Sequence, residues 1–254
     1  MKTKLQLTIA IVFFSLAVSC NGFAAQGSEN EIYTKIKSAL TIYNFDSLNA
    51  IRSTLAARYE QEKASSALYY LTYSEYKLLE MCLRKDTASR FTGIKESAEK
   101  HANELSGIKG FESEGKVLMA GIYMMRIAYN WSEAIALTPL LYATLADAEK
   151  ADKNNPRVFL LRGMMKFNTP EMFGGSKEDA LTNFLSAAKL FENTEETKAF
   201  NPEWGYLETL AWTGQVYAKL DNPETARFYY NKALSIEPGY GWVKYVLLPA
   251  LDKK

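Results

Sequence analysis

Residues 207–238, LETLAWTGQVYAKLDNPETARFYYNKALSIEP, decide the fold. Their apolar side chains recur every three or four positions, in two runs on either side of the corner DNP. This period predicts two amphipathic helices joined by a tight turn. Pro223 suits the first turn of the second helix, and Pro238 ends that helix because proline cannot continue its hydrogen bonding. The small residues Gly214 and Ala226 let the two helices approach closely.

The same stretch resembles a tetratricopeptide repeat (TPR), a helix pair that stacks on further pairs. Two positions differ from the family pattern: Asp221 stands where the turn often has glycine, and Thr213 where leucine is usual. The resemblance implies a helical-repeat fold that works as a binding surface. Six residues with the family's spacing carry it: Gly214, Tyr217, Ala226, Tyr230, Ala233 and Pro238.

The helical period continues through the chain after residue 26, and helix pairs begin near residues 29, 64, 112, 156 and 203. Pairs at such spacing stack to close a shared core. We predict an all-α, right-handed α-solenoid of about five TPR-like pairs in one domain, 26–254. The clearest repeats are 156–192 and 207–238, and 241–251 is a capping helix whose Trp242, Tyr245 and Val246 face inward. Helices are expected near 29–43, 46–61, 64–84, 87–106, 112–130, 132–152, 156–168, 176–192, 203–220, 223–236 and 241–251.

The turn FGGS at 173–176 raises the question of a phosphate-binding loop. A P-loop needs a lysine directly after its second glycine and a strand before it, and both are lacking here. We therefore predict an enlarged helix–helix turn in which Ser176 caps the next helix. Met172 and Phe173 would be exposed there and could touch a partner. The turn TPEMFGG is similar to one in secreted helical-repeat lipoproteins, particularly of Bacteroidota.

The N-terminus reads as a signal peptide over residues 1–25. Two lysines precede an apolar stretch, 5–18, that is too short to span a bilayer. Two cleavages stay open. One lies after Ala24 and leaves a soluble periplasmic protein. The other uses LAVSC, which resembles a bacterial lipobox with Ala17 in place of leucine, and would lipidate Cys20 and anchor the protein to an envelope membrane.

No set of residues with catalytic or metal-binding spacing is present, so we expect neither an enzyme nor a cofactor or metal site. His101 is the only histidine and is expected on a helix surface. Cys82 has no partner for a disulfide once Cys20 is removed or acylated, and is expected to be a buried apolar residue. The formal net charge of +1 gives no reason to expect nucleic acid.

Function is therefore expected to lie in the surface. In TPR arrays the first helix of each pair lines a concave groove, which implies a scaffold for an envelope protein or peptide. The groove candidates combine apolar and charged side chains that would suit an extended peptide or a small carboxylate. They are Met125, Arg126, Arg157, Met164, Glu208, Gln215 and Lys219.

An excess of aromatic and methionine residues supports an alternative function. Tyr69, Tyr73 and Tyr76 fall on one helical face with Leu83, and such a stripe is usually core but could line a cavity. The chain would then resemble the T component of TRAP transporters, a secreted helical-repeat accessory thought to hold small apolar ligands in an internal channel.

Overall fold

The computed structural model describes residues 31–193 and 202–253, which form antiparallel helix pairs. Within these ranges no strand occurs, and the all-α solenoid is confirmed. The proposed leader and Cys20 lie outside the described residues. The pairs are 31–41 (α1) with Phe45–Glu62 (α2), Ser65–Met81 (α3) with Phe91–Ser106 (α4), Glu112–Tyr129 (α5) with Ala134–Ala151 (α6), Pro156–Asn168 (α7) with Lys177–Glu192 (α8), and Tyr206–Lys219 (α9) with Pro223–Ile236 (α10).

The helix starts follow from the residues at their N-termini. Asn44, Asn155, Ser176 and Asn222 each accept a hydrogen bond from a main-chain N–H in the first turn of the helix that follows. Such a cap stabilises a helix by about 1 kcal/mol. The predicted third helix, 64–84, is too long, because the structure ends it at Met81 and continues in a turn with a 3-10 segment.

Glycine sets the spacing between the helices of the last two pairs. A Cβ at Gly163 would lie 2.5 Å from the ring of Phe184, and one at Gly214 would lie 2.3 Å from the ring of Tyr230. In each pair an aromatic ring of the second helix thus packs directly on the main chain of the first helix, at a glycine that has no side chain. The close approach predicted at Gly214 is therefore observed, and Gly163 makes the same kind of contact in the preceding pair.

The enlarged turn after α7 connects that helix to α8, and Ser176 caps α8, as predicted. Gly174 has a φ of 90°, which favours glycine, and a Cβ at Gly175 would lie 1.8 Å from the carbonyl oxygen of Thr169. The side chains of Met172 and Phe173 are exposed. Both glycines are thus explained by the turn itself, without a phosphate ligand.

The C-terminal helix begins as a π-helical turn, Val243–Leu247, and ends as Leu248–Leu251 (α11). A π-helix has more residues per turn than an α-helix, so the inward face changes. Val243 and Leu247 are buried, whereas Tyr245 and Val246, expected to face inward, are exposed. Within residues 31–193 and 202–253, no helix combines the length and apolarity that crossing a membrane requires.

Candidate functional site

Residues 202–205, here called the inserted segment, contact the first helices of the second and fourth pairs. This segment precedes α9 and packs against α3 and α7. The indole of Trp204 is 3% exposed and stacks on Tyr73 with ring centroids 5.1 Å apart. Its Nε1–H donates to the hydroxyl oxygen of Tyr69 at 2.6 Å. The segment is therefore held against α3 through its one large side chain.

Arg157, in the first turn of α7, binds the main chain of the inserted segment. Its guanidinium donates to the carbonyl oxygen of Pro202 and, at 3.3 Å, to Glu114 Oε1. The group lies between the rings of Phe191 and Trp204, at 5.4 Å and 5.2 Å. Burial disfavours its charge, but Glu114 and nearby tyrosines outweigh that effect and raise the pKa of Arg157. A buried, permanently charged donor thus faces a peptide carbonyl.

A hydrogen-bond network holds Arg157 in place. Tyr69 donates to Glu114 Oε2 at 3.0 Å, and Asn155 Nδ2 donates to Glu114 Oε1 at 2.8 Å. Burial raises the pKa of Tyr69 well above its ordinary value, with the Glu114 carboxylate adding to the effect. Tyr69 therefore remains a neutral donor to Glu114 while its oxygen accepts from Trp204. These bonds orient the Arg157 guanidinium through its two terminal nitrogens, while its buried Nε has no hydrogen-bond partner among the described residues.

A second group of charged side chains, formed by Glu208, Lys77 and Glu80, lies at the C-terminal end of the inserted segment. Glu208, at the start of α9, accepts from the N–H of Gly205 at 3.2 Å, and its Oε1 lies 3.8 Å from Lys77 Nζ. Lys77 also bonds Glu80 at 2.6 Å. Burial opposes the charge of Lys77, but Glu80 and Glu208 raise its pKa, so the cation persists inside the protein. Gly205 has a φ of 110°, a conformation that favours glycine.

Two of the seven groove candidates, Arg157 and Glu208, meet around the inserted segment. Arg126 lies elsewhere, because it bonds Glu99 at 2.7 Å and also Glu133 at the start of the next helix. The structure places the other four candidates apart from the inserted segment's polar contacts: Met125 is buried in the core, Met164 and Gln215 are half-buried, and Lys219 is exposed at the end of α9.

Sequence reasoning missed Trp204 and Lys77 as members of this set of contacts. Two features of the sequence could have drawn attention to Trp204. The connection between α8 and α9 is long, from residue 193 to 205, and it ends in PEWG, which has no helical period. Lys77 directly follows Tyr76 of the predicted aromatic stripe, and a lysine beside a core stripe is rarely buried unless it is paired. These features of the sequence indicate that Trp204 and Lys77 make buried polar contacts, but they do not indicate with which residues.

The expectation that His101 is a surface residue is wrong. Its side chain is 15% exposed, and its Nδ1 lies 2.8 Å from Oε2 of the fully buried Glu75. Glu75 also accepts from Arg52 Nε at 3.0 Å and from the Ser97 hydroxyl at 2.8 Å. This cluster ties α2, α3 and α4 together. Among the described residues, no three side chains of the metal-ligating types come together as a metal site.

Tyr69, Tyr73 and Tyr76 are buried, as the core interpretation predicts, whereas Leu83 is 42% exposed. Tyr73 and Tyr76 contact Trp204, so their rings form the wall behind the inserted segment. The indole of Trp204 therefore covers these two rings.

No protein-family model matches the chain, and no curated protein matches it either. Among solved structures, the HusA haemophore from Porphyromonas gingivalis is similar, with a TM-score of 0.63 and 22% identity over 77% of this chain and 93% of that chain. A thermophilic TPR protein of Thermus thermophilus, TTC0263, is similar with a TM-score of 0.59 and 17% identity over 87% of this chain and 98% of that one. Both similarities show the fold alone: the chain has a TPR-like helical fold.

Proposed function

We propose that the protein is a non-catalytic interaction scaffold that binds an extended peptide of a partner protein in its concave groove. The observation that carries this proposal is the inserted segment, a stretch of the protein's own chain that is held between α3 and α7 by a main-chain hydrogen bond and by aromatic stacking. Arg157 donates to its main-chain carbonyl, and the aromatic wall holds its one large side chain. These are contacts by which a groove recognises main chain and an anchor residue.

The chemistry of the groove defines the partner's motif. Tyr73 stacks on a flat aromatic side chain, and the hydroxyl of Tyr69 accepts from an N–H at its edge. Arg157 requires a carbonyl oxygen two residues before that side chain. The partner is therefore a peptide with a tryptophan as its anchor, and it must displace the inserted segment in order to bind.

The proposed location is the cell envelope. The leader pattern of residues 1–25 supports export, with lipidation of Cys20 as one of its two outcomes. Growth with a labelled fatty acid separates them. Label that is incorporated by the natural protein and lost in Cys20→Ala would establish the lipid anchor, and an unlabelled natural protein would establish cleavage near Ala24.

The scaffold proposal is tested by cross-linked co-purification from the native envelope. Tagged Trp204→Ala should capture a partner in higher yield than the natural protein, because its groove is no longer filled. Adding Arg157→Met should abolish the capture, while Phe228→Ala, at an exposed position of α10, should leave it unchanged. Circular dichroism checks that each variant is folded. A partner that the double variant still captures would exclude the groove as the binding site.

A small apolar ligand is the second candidate, and the observation that favours it is the similarity to a haemophore. Because the Trp204 indole covers Tyr73 and Tyr76, a planar ligand that binds these rings would have to take its place. Titration with haem, followed by its visible absorption band, tests this function. A saturable spectral change in the natural protein that competes with a tryptophan peptide would support it, and an unchanged spectrum in both the natural protein and Trp204→Ala would exclude it.

A further inference from the structure

The two ends of the solenoid contact each other. In a helical-repeat array each pair ordinarily touches only its neighbours. Here Lys37 Nζ, on α1, lies 2.5 Å from Glu237 Oε2, directly after α10. A Cβ at Gly239 would lie 3.7 Å from Thr41 Cγ2, and one at Gly241 would lie 3.6 Å from the Thr41 carbonyl oxygen. We call these five residues the closing contact, because they join the first pair to the chain that follows the last pair.

Glu237 holds both sides of the closing contact. Its Oε1 accepts from the N–H of Gly239 at 3.3 Å, and its Oε2 binds Lys37. Its main-chain carbonyl also accepts from the N–H of Tyr240 at 3.0 Å, which forms the turn after α10. The Lys37 ammonium lowers the pKa of Glu237, so the carboxylate is charged at neutral pH. One side chain thus orders the turn and joins it to α1.

Tyr33, one helical turn before Lys37, extends the N-terminal side of this contact to the inserted segment. Its ring centroid lies 6.4 Å from that of Tyr70. Burial raises the pKa of Tyr33, and the carboxylates of Glu208 and Glu203 add to the effect, so the phenol lies within electrostatic range of both. Glu203 belongs to the inserted segment, and Glu208 accepts from the last N–H of that segment. Helix α1 therefore flanks the segment.

Tyr240 extends the C-terminal side of the contact to the same place. Its ring packs edge-on against Trp242 at 6.3 Å, and Trp242 packs on Trp212 of α9 at 5.2 Å. Burial raises the pKa of Tyr240 well above its ordinary value, and the carboxylates of Glu208 and Glu80 add to the effect. Glu208 thus has a tyrosine from each end of the solenoid near it. The closing contact and the inserted segment therefore share their surroundings.

The closing contact is weaker than the contacts that hold the helix pairs. Its ion pair is partly exposed, at 40% for the Lys37 side chain and 24% for that of Glu237, and such pairs add little to stability. Its other members are two glycines and a threonine, whose side chains are absent or small. In contrast, Ile36 and Ala39 anchor α1 in the main core. The ends can therefore separate while every pair remains folded.

We propose that the closing contact is a latch on the inserted segment. While the ends of the solenoid are joined, a tyrosine from each end flanks Glu208, and the indole of Trp204 stays on Tyr73. When the ends separate, the segment can leave and another peptide can take its place. The second step rests on the proposed function, whereas release of the segment requires no partner and is measured without one.

Hydrogen–deuterium exchange of the natural protein and of charge variants tests this proposal. The N–H of Gly205, which donates to Glu208, should exchange only when the segment is released. Lys37→Glu places two carboxylates opposite each other and should speed exchange at residues 203–206 by about twofold to tenfold. Lys37→Glu with Glu237→Lys restores opposite charges and should return the exchange to within about twofold of the natural rate.

The matched control is Lys35→Glu. Lys35 is exposed on the same helix and pairs with Glu31, one turn away, at 2.7 Å. Reversal of its charge should leave the exchange of the inserted segment unchanged. Exchange that is unchanged in Lys37→Glu, or equally fast in Lys37→Glu and Lys35→Glu, would overturn the latch.

An engineered disulfide tests the closed state. The 3.7 Å approach of a Cβ at Gly239 to Thr41 suits Thr41→Cys with Gly239→Cys, because the Cβ atoms of a disulfide lie about 3.5–4.5 Å apart. Gly239 has no positive φ, so a cysteine fits its main chain. The oxidised variant should exchange at residues 203–206 at least about tenfold more slowly than the same variant after reduction, and equal rates would overturn the proposal.

The charge variants decide the question if the disulfide does not form. The failure of the latch and the failure of the scaffold are distinguishable, because the scaffold is tested by capture of a partner and the latch by exchange in the protein alone. Exchange that follows the closing contact in a protein that captures no partner would refute the scaffold and support the latch.

Discussion

Replacement of Trp204 by alanine tests whether the inserted segment is anchored by one side chain. The indole is 3% exposed, stacks on Tyr73 and donates to the hydroxyl of Tyr69. Truncation of a buried tryptophan costs about 3–5 kcal/mol in the free energy of unfolding. Arg157 also loses the ring beside its guanidinium, whereas Tyr69 keeps its bond to Glu114. We therefore expect a loss of about 4 kcal/mol.

Urea unfolding followed by circular dichroism measures this loss. With a slope of about 3 kcal/mol per molar urea, the midpoint should fall by about 1.3 M. The matched control is Phe228→Ala, because that ring is 61% exposed and its removal should change stability by less than about 0.5 kcal/mol.

The cavity left by Trp204→Ala should bind free indole, because it keeps the wall that held the ring. Indole at about ten times its Kd should restore about 1.4 kcal/mol to the variant and nothing to the natural protein. A variant that unfolds within about 1 kcal/mol of the natural protein would refute the reasoning, since the indole could not then be the anchor of the segment.

Three further predictions concern the packing and the ionisable groups. Gly163→Ala should lower the free energy of unfolding by about 1–3 kcal/mol in the same urea assay, because the added methyl group meets the ring of Phe184. Its control is Gly93→Ala, which has open space at its Cβ and should raise the free energy of unfolding by up to about 1 kcal/mol. Burial raises the pKa of Tyr230 to about 12, so stability should be complete below pH about 10, the unfolded value, and fall as the pH rises towards 12. Urea midpoints across that range, compared with Tyr230→Phe, check the direction, and a midpoint that rises would contradict it. Cys82 is fully buried and its pKa is raised to about 11 by burial, so a thiol reagent at neutral pH should label the unfolded protein only; rapid labelling of the folded protein would contradict this.

The helix pairs were predictable from the sequence because local signals determine them. The positions of Gly163 and Gly214 opposite an aromatic ring, and of proline and asparagine at the corners, act between neighbouring helices of one pair. Contacts between neighbouring helices can be predicted from the hydrophobic period and from the capping residues of the sequence. The C-terminal helix is the exception, since its π-helical turn at Val243–Leu247 shifts the face that α-helical spacing predicts.

The contacts of the inserted segment were not predictable, because they join distant parts of the chain. Trp204 and Tyr69 are separated by 135 positions, and no local pattern relates them. His101 was misplaced for a similar reason: its burial depends on Glu75 of a neighbouring helix, whereas its own helix reads as polar on that side. The groove candidates Arg157 and Glu208 were found because TPR geometry assigns first-helix positions to the concave face. Their intramolecular partner lies in a connection to which that geometry does not apply.

The central claim is that the groove is a peptide site that its own chain fills. The most direct test is titration of a labelled peptide, PEWGY, which copies residues 202–206, followed by fluorescence anisotropy. The Trp204→Ala variant should bind this peptide, and the natural protein should bind it at least about tenfold more weakly, because the tethered segment competes at a high effective concentration. The peptide PEAGY should not bind to either protein. Equal affinity of PEWGY and PEAGY for Trp204→Ala, or no binding of PEWGY to that variant, would contradict the claim.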